Sequence, residues 1–399
     1  MFPKLLDADG LYYDATGNLE LPQAPPDTMS EAAKTILQGP TIPSPELERE
    51  AELGFLWDFW YPAIRSREIT GQRLVTAMLL EVPLVLGRTS GGNPFAMRDS
   101  CPHRGIPLSY GHFDGKVLEC SYHGWKFDAC SAQCLEIPSL SSQDKLKVER
   151  IFAGHYPCEE RDGYVWVYMT APGARLPETI PSAPALATFS TRYKLTHLEC
   201  DLPSHIDHGI IGLMDPAHGP FVHQSWFWRS KHSIHEKQKQ FEPIPNGFRM
   251  SPHSPSTNSA PYRLLKKMTG APVTTTIDFV LPNIRTEEIR SGKLWFSSRA
   301  AVTPVRRDLC RIDFVAAWNL FLPVSIFRMF AKSFLEQDQQ TMIQQAEGLK
   351  HNPRLMLIDD ADRPAKWYFA LKANLIESRR TGLPPVHPMD GPVTLRWRS

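Results

Sequence analysis

Between Gly54 and about Ala171 the apolar positions come in short β-branched or aromatic runs, LVTAMLL, VPLVLG, KVLEC and GYVWVYM, parted by turn signals such as SGGN. Runs of that length and spacing predict an antiparallel β domain. A Pro-rich stretch, APGARLPETIPSAP, follows, and the pattern then changes. Strand-like runs over 274–283 and 311–322 are mixed with helical periodicity near 204–225, 330–349 and 363–380, which predicts an α+β second domain. Phe314 to Phe327 is nearly continuous in apolar residues, but Asn319 and Pro323 interrupt it and it is too short to span a bilayer. It reads as a buried strand, with a membrane-touching surface as the less favoured alternative. The chain start carries LPQAPPD and QGPTIPSPELE with little periodicity and reads as an extended arm. The expected boundaries are therefore an arm at 1–53, the β domain at 54–172, the second domain at 173–385 and a tail at 386–399.

Composition narrows the partners. In 399 residues, Lys plus Arg is 44 and Asp plus Glu is 43, a formal charge of +1, so the balance points to neither nucleic acid nor an anionic membrane. A small or neutral substrate fits better. The 36 prolines are about twice ordinary usage and predict long irregular connections. The start, MFPKLLDADG, lacks the basic segment and apolar run of a signal peptide, so the expectation is a soluble, cytoplasmic chain.

The seven cysteines are an odd number in a chain read as cytosolic, which argues against a disulfide framework. Two of them sit in CPHRG (Cys101, His103) and CSYHGW (Cys120, His123), both in turn-rich ends of strands. Coincidence would place a Cys-x-His and a Cys-x-x-His at such a distance about once in a thousand chains. Two thiolates and two imidazoles suit either a closed zinc site or a [2Fe–2S] cluster with Cys on one iron and His on the other. Zinc fingers group their cysteines and then their histidines. Here each loop supplies one of each, so each iron receives one ligand from each loop, the Rieske arrangement. Gly105 and Gly124 permit tight loops around it.

The text around these ligands, CPHRGIPLSYG and CSYHGWKFD, resembles the Rieske domain of the Rieske non-haem iron, or ring-hydroxylating, oxygenases. Respiratory-chain Rieske proteins carry an additional cysteine in each cluster loop; Arg104 and Gly124 stand beside the histidines here, which favours the oxygenase type. Cys130, Cys134, Cys158, Cys200 and Cys310 are assigned to packing.

An oxygenase also needs a site for dioxygen, and Fe(II) held by two His and one carboxylate with open positions suits it. GLMDPAHGPFVH contains Asp215, His218 and His223, a pattern that chance supplies in about one protein in forty and that gains force downstream of the Rieske motif. Five residues apart on a regular helix, His218 and His223 would point about 140° away from each other. Sharing one iron requires a broken backbone, and Gly219-Pro220 is the expected break. The resemblance makes His218 and His223 iron ligands. It makes Asp215 a bridge whose carboxylate accepts from His218 and from the Rieske His123 of a neighbouring subunit; the alternative for Asp215 is a helix cap before Pro216. By the same resemblance SFLEQDQQTMIQQ supplies the third ligand, Asp338, with Glu336 as competitor. Where many relatives carry a polar pair before the bridging Asp, this chain reads Ile210-Ile211-Gly212 after HIDH. On an unbroken helix His208 would share a face with Asp215 and is a candidate for the pocket, whereas His205 reads as structural.

The fold implied is an antiparallel β Rieske domain plus an α+β helix-grip (START-like) catalytic domain. The implied function is a terminal oxygenase with a [2Fe–2S] cluster and a mononuclear Fe(II). Electrons would come from NAD(P)H through a separate reductase or ferredoxin, since the chain has no nucleotide fingerprint. The resemblance is to the homo-oligomeric demethylase, phthalate dioxygenase and ketosteroid hydroxylase branch and implies a head-to-tail trimer. Hydroxylation or demethylation is the favoured reaction, cis-dihydroxylation the alternative, and an electron-transfer or ligand-binding protein without oxygenase activity the rival class. Ile277–Pro282, Trp295–Phe296, Phe314–Phe327 and the Trp226, Phe227, Trp228 cluster are consistent with a hydrophobic, polycyclic substrate, and equally with core.

Overall fold

Strand Tyr164–Met169 has every side chain buried because it belongs to two cores at once. Alternation sends Val165, Val167 and Met169 into one cluster with Tyr61, Leu84 and Leu86. Tyr164, Trp166 and Tyr168 go the other way, against Trp295, Ala301, Val315 and Ala317. One all-apolar strand thus joins the first domain to the second. The computed structural model describes residues 5–6, 12–13, 54–171, 173–223, 234–254 and 260–399. Met1–Glu50 and Ala51–Ser399 are separate units, and within the former Leu5–Leu6 pairs antiparallel with Tyr12–Tyr13.

The first domain is built of three small antiparallel sheets, two of four strands and one of three. One runs from His112–Phe113 through Val117–Glu119 and Lys126–Asp128 to Cys134–Glu136, and its cluster of Phe113, Leu118 and Phe127 also contains Cys101 and Cys120. The two Cys-His loops therefore spring from a rigid base.

The second domain is an eight-stranded antiparallel sheet in the order 194–202, 309–318, 294–306, 284–291, 274–280, 247–253, 236–244, 393–398. Its last strand comes from the segment read as a tail: Val393–Arg398 pairs with Glu236–Phe241, and Leu395 and Trp397 point into the core. The sheet's other face carries helices α1 (Ile206–Met214), α2 (Gly219–Val222), α3 (Ala260–Thr269), α4 (Val324–Leu349) and α5 (Arg363–Thr381). Ile206 and Ile210 of α1 and Trp367, Tyr368 and Leu371 of α5 pack on Ala300, Val302 and Ile312. α1 lies so close to the sheet that a Cβ on Gly209 would come within 2.8 Å of Cys310 Sγ and Val302 Cγ1. A buried ion pair fixes it further: Lys372 Nζ of α5 donates to both oxygens of Asp207 at 2.8 and 3.0 Å, and the Tyr368 hydroxyl donates to Asp207 Oδ1. Removing one member of such a group leaves the other charge uncompensated, at about 3–5 kcal/mol.

Three further readings need correction. The Phe314–Phe327 run is not one strand; strand Leu309–Trp318 ends, the chain turns at Asn319–Pro323, and α4 starts at Val324. The Trp318 indole donates to Leu322 O at 2.9 Å and closes that turn. Cys130 does not pack but is exposed, in a turn where its amide donates to Asp128 Oδ1 at 3.1 Å. The break expected at Gly219-Pro220 falls earlier, over Asp215–His218, and Gly219-Pro220 instead begins α2.

Candidate metal centres and the cavity beside them

The two Cys-His loops are built alike. In each, the Cys carbonyl accepts from the glycine four residues on, Gly105 N at 2.8 Å and Gly124 N at 3.0 Å. The Cys amide donates to the carbonyl five residues on, Ile106 O and Trp125 O, both at 2.8 Å. Both glycines hold left-handed φ values, +73° and +69°, which closes the turn and which residues with a Cβ rarely adopt. The result is segregation of the donors: the Cys101 thiol lies beside that of Cys120, and the rings of His103 and His123 are 4.6 Å apart. His103 also stacks on Trp125 at 4.9 Å.

This donor set fits a [2Fe–2S] cluster, with a thiol pair for one iron and an imidazole pair for the other. His123 Nδ1 is buried with no hydrogen-bond partner, a state costly for a ring nitrogen unless something else occupies it. Burial, reinforced by Cys120, pushes the Cys101 thiol up to about 11, and a bound cation would draw it to the thiolate. His103 and Tyr122 are exposed, which leaves the tip of the centre open to an electron donor or acceptor.

The second centre forms where α1 ends. His218 and His223 flank the single turn of α2, and Asp338 reaches them from α4. His218 Nε2 is 3.1 Å from His223 Nε2, and His223 Nε2 is 3.2 Å from Asp338 Oδ1. Two imidazole nitrogens and a carboxylate oxygen this close together are a donor set that would suit a divalent iron, with other positions left for further ligands. Among the described residues this is the group of three such side chains whose donor atoms lie within 4.8 Å of one another. Burial holds the His218 imidazole below its ordinary range, toward the neutral form a metal ligand needs. Glu336 points away, exposed, 3.5 Å from Lys332.

Both imidazoles are oriented through Nδ1. His218 Nδ1–H donates at 2.7 Å to the main-chain carbonyl of Asp215, while Asp215 Oδ2 stays 3.8 Å off. The Asp215 carboxylate accepts from Ala217 N at 2.6 Å, and burial holds it above the ordinary carboxylate range. The contact to His218 thus runs through the Asp215 backbone and not through its carboxylate. His223 Nδ1–H donates to Gln337 Oε1 at 3.1 Å. Nothing in the sequence distinguishes this glutamine from its neighbours; its position next to Asp338 is the single clue. Gln337→Leu removes the acceptor at similar size and is expected to weaken Fe(II) binding by about 10–100-fold, with Gln337→Glu restoring most of it, read by Fe(II) titration of the iron-stripped protein.

The triad borders a cavity of about 1250 Å³ whose walls include Phe248, Phe279, Phe296, Phe314, Phe327 and Phe334. Of the runs read as either substrate-facing or core, Ile277, Phe296 and Phe314 border the cavity, whereas Trp295 packs on the opposite face of the sheet. Trp226, Phe227 and Trp228 lie outside the described residues. His208 borders a smaller cavity of about 250 Å³ together with Asp215, His218 and Asp338. His205 caps α1, its Nδ1 accepting from Asp207 N at 3.2 Å.

Residues 59–150 match the Rieske [2Fe-2S] domain family. Among curated proteins, the chain is 39% identical over 189 residues to chlorophyllide a oxygenase of Chlamydomonas reinhardtii, covering 46% of this chain and 27% of that protein. It is 33% identical over 172 residues to the oxygenase subunit of 3-chlorobenzoate-3,4-dioxygenase of Comamonas testosteroni (43% and 38%). It is 30% identical over 145 residues to 4beta-methylsterol monooxygenase of Methylococcus capsulatus (36% and 39%). The match thus spans less than half the length of each of these relatives. Among solved structures, NdmA of Pseudomonas putida CBB5 with theobromine superposes with a TM-score of 0.66 at 19% identity, over 87% of this chain and 97% of that one. Dicamba monooxygenase bound to dicamba gives 0.61 at 19% identity, over 82% and 98%. The chain contains a Rieske [2Fe–2S] domain, and its fold as a whole is that of the Rieske oxygenases.

Proposed function

We propose that this chain is the terminal oxygenase component of a Rieske non-haem iron system that hydroxylates or demethylates a hydrophobic, multi-ring substrate. The observation that carries this reading is the convergence of His218, His223 and Asp338 on the wall of a large apolar cavity. An electron carrier has no use for either feature. A volume of about 1250 Å³ exceeds the roughly 300–1000 Å³ of sites for drug-sized ligands, which favours a fused-ring molecule over a single ring.

When bound, the iron would supply dioxygen-activating chemistry and the cluster single-electron transfer. The chain's own part is to hold both Nε2 atoms toward one point, through Asp215 O and Gln337 Oε1, and to offer an apolar cavity beside them. Monooxygenation balances as substrate C–H plus O2, two electrons and two protons giving alcohol and water, the electrons coming from NAD(P)H through a separate reductase or ferredoxin. Neither cluster loop borders either cavity, which supports delivery of electrons from the cluster of a neighbouring subunit, with Asp215 at the crossing and a ring of three as the assembly.

The test is reductase-dependent oxygen uptake under ¹⁸O2 with a panel of multi-ring hydrophobic compounds. The expected product carries one ¹⁸O atom from O2. Label from water alone, or uptake that ends entirely as peroxide with every compound, contradicts the reading.

A further inference from the structure

We propose that the mouth of the large cavity is a docking surface for an anionic lipid bilayer, from which substrate enters without crossing water. Large apolar side chains that border the cavity also face solvent, among them Leu264 and Met268 on α3, 59% and 53% exposed, and Phe321 in the turn before α4, 82% exposed. Met329 on α4 is likewise exposed, at 60%. Side chains of this kind gain free energy when their apolar area leaves water, and a cluster of them around a cavity entrance marks an interaction surface. The sequence reading favours burial for the run containing Phe321, and the structure puts its tip outside.

Charge identifies the occupant. Arg263, Lys266 and Lys267 on α3 and Arg328 on α4 are all exposed, and neither 260–270 nor 320–331 contains an acidic residue. The cavity lining also includes the exposed Glu236, beside Lys237 and Lys239, but the α3 and α4 segments that carry the apolar tips bear cations only, which complements the headgroup layer of an anionic bilayer. A two-fold contact between copies of this chain would instead bring like charges together. Among the described residues no helix is long and apolar enough to cross a membrane, and the proposal concerns attachment by this surface. The cavity gives such attachment a purpose, because a multi-ring apolar substrate resides in lipid; in this respect the proposal rests on the oxygenase reading. Vesicle binding is measured without turnover, so the two can fail separately.

The test is flotation of the holoprotein with vesicles of phosphatidylcholine alone or mixed with phosphatidylglycerol. Co-flotation with the mixed vesicles, weakened by salt, is expected. K266E/K267E should lower the bound fraction by about tenfold or more, and L264S/F321S should lower it likewise, both retaining the cluster's visible spectrum. Absence of flotation, or flotation unchanged in both variants, overturns the proposal. So does self-association without vesicle binding that L264S/F321S abolishes, which would assign the surface to a second copy.

Discussion

His218→Ala is expected to abolish substrate oxidation while leaving the visible spectrum of the cluster unchanged. Losing an orienting partner of a metal ligand already costs about 10–100-fold, so losing the ligand itself costs more than about 100-fold. The separation of effects follows from the fold. Cys101 and Cys120 sit in a cluster with Phe113, Leu118 and Phe127, whereas His218 immediately precedes α2 and follows Ala217, which packs against the core of the second domain. Iron should fall by one atom per chain with sulfide unchanged. Normal turnover, or iron content equal to that of the unaltered protein, would remove His218 from the centre.

The mirror experiment is Cys120→Ala. It breaks the thiol pair, and the main-chain bonds that shape the loop, Gly124 N to Cys120 O and Cys120 N to Trp125 O, do not depend on the sulfur. Acid-labile sulfide and the visible absorption should disappear, and reductase-driven turnover with them, also by more than about 100-fold. Fe(II) added to this variant should still bind at His218, His223 and Asp338. Retention of sulfide would mean that Cys120 is not a cluster ligand; loss of both metals would mean that the two centres are not independent.

Local chemistry was the part of this protein legible in its sequence. Rare residues at fixed spacing announced the cluster loops, and the glycines that close them, Gly105 and Gly124, could be read as such because each follows the His of its loop. Asp338, 115 residues after His223, was reachable through the resemblance but not from physics, since a ligating carboxylate and the exposed Glu336 look alike on paper. Much of the large sheet was illegible. Strands such as Glu236–Ile244 and Ile284–Ser291 line the cavity on one face or pair at partly exposed positions, so charge masks their alternation. Val393–Arg398 does alternate, with Leu395 and Trp397 inward, and that signal could have moved it from tail to strand. Contacts such as Lys372 to Asp207 and Gln337 to His223 join residues more than a hundred positions apart and leave no local trace.

The account stands most directly on how much iron and sulfide the chain holds. Anaerobically purified protein, reconstituted with Fe(II), should contain iron and acid-labile sulfide in a ratio near three to two per chain, with two irons in the cluster and one at His218, His223 and Asp338. A ratio that stays near two to two after Fe(II) is added would contradict it, because the triad would then hold no metal and the chain would be an electron carrier.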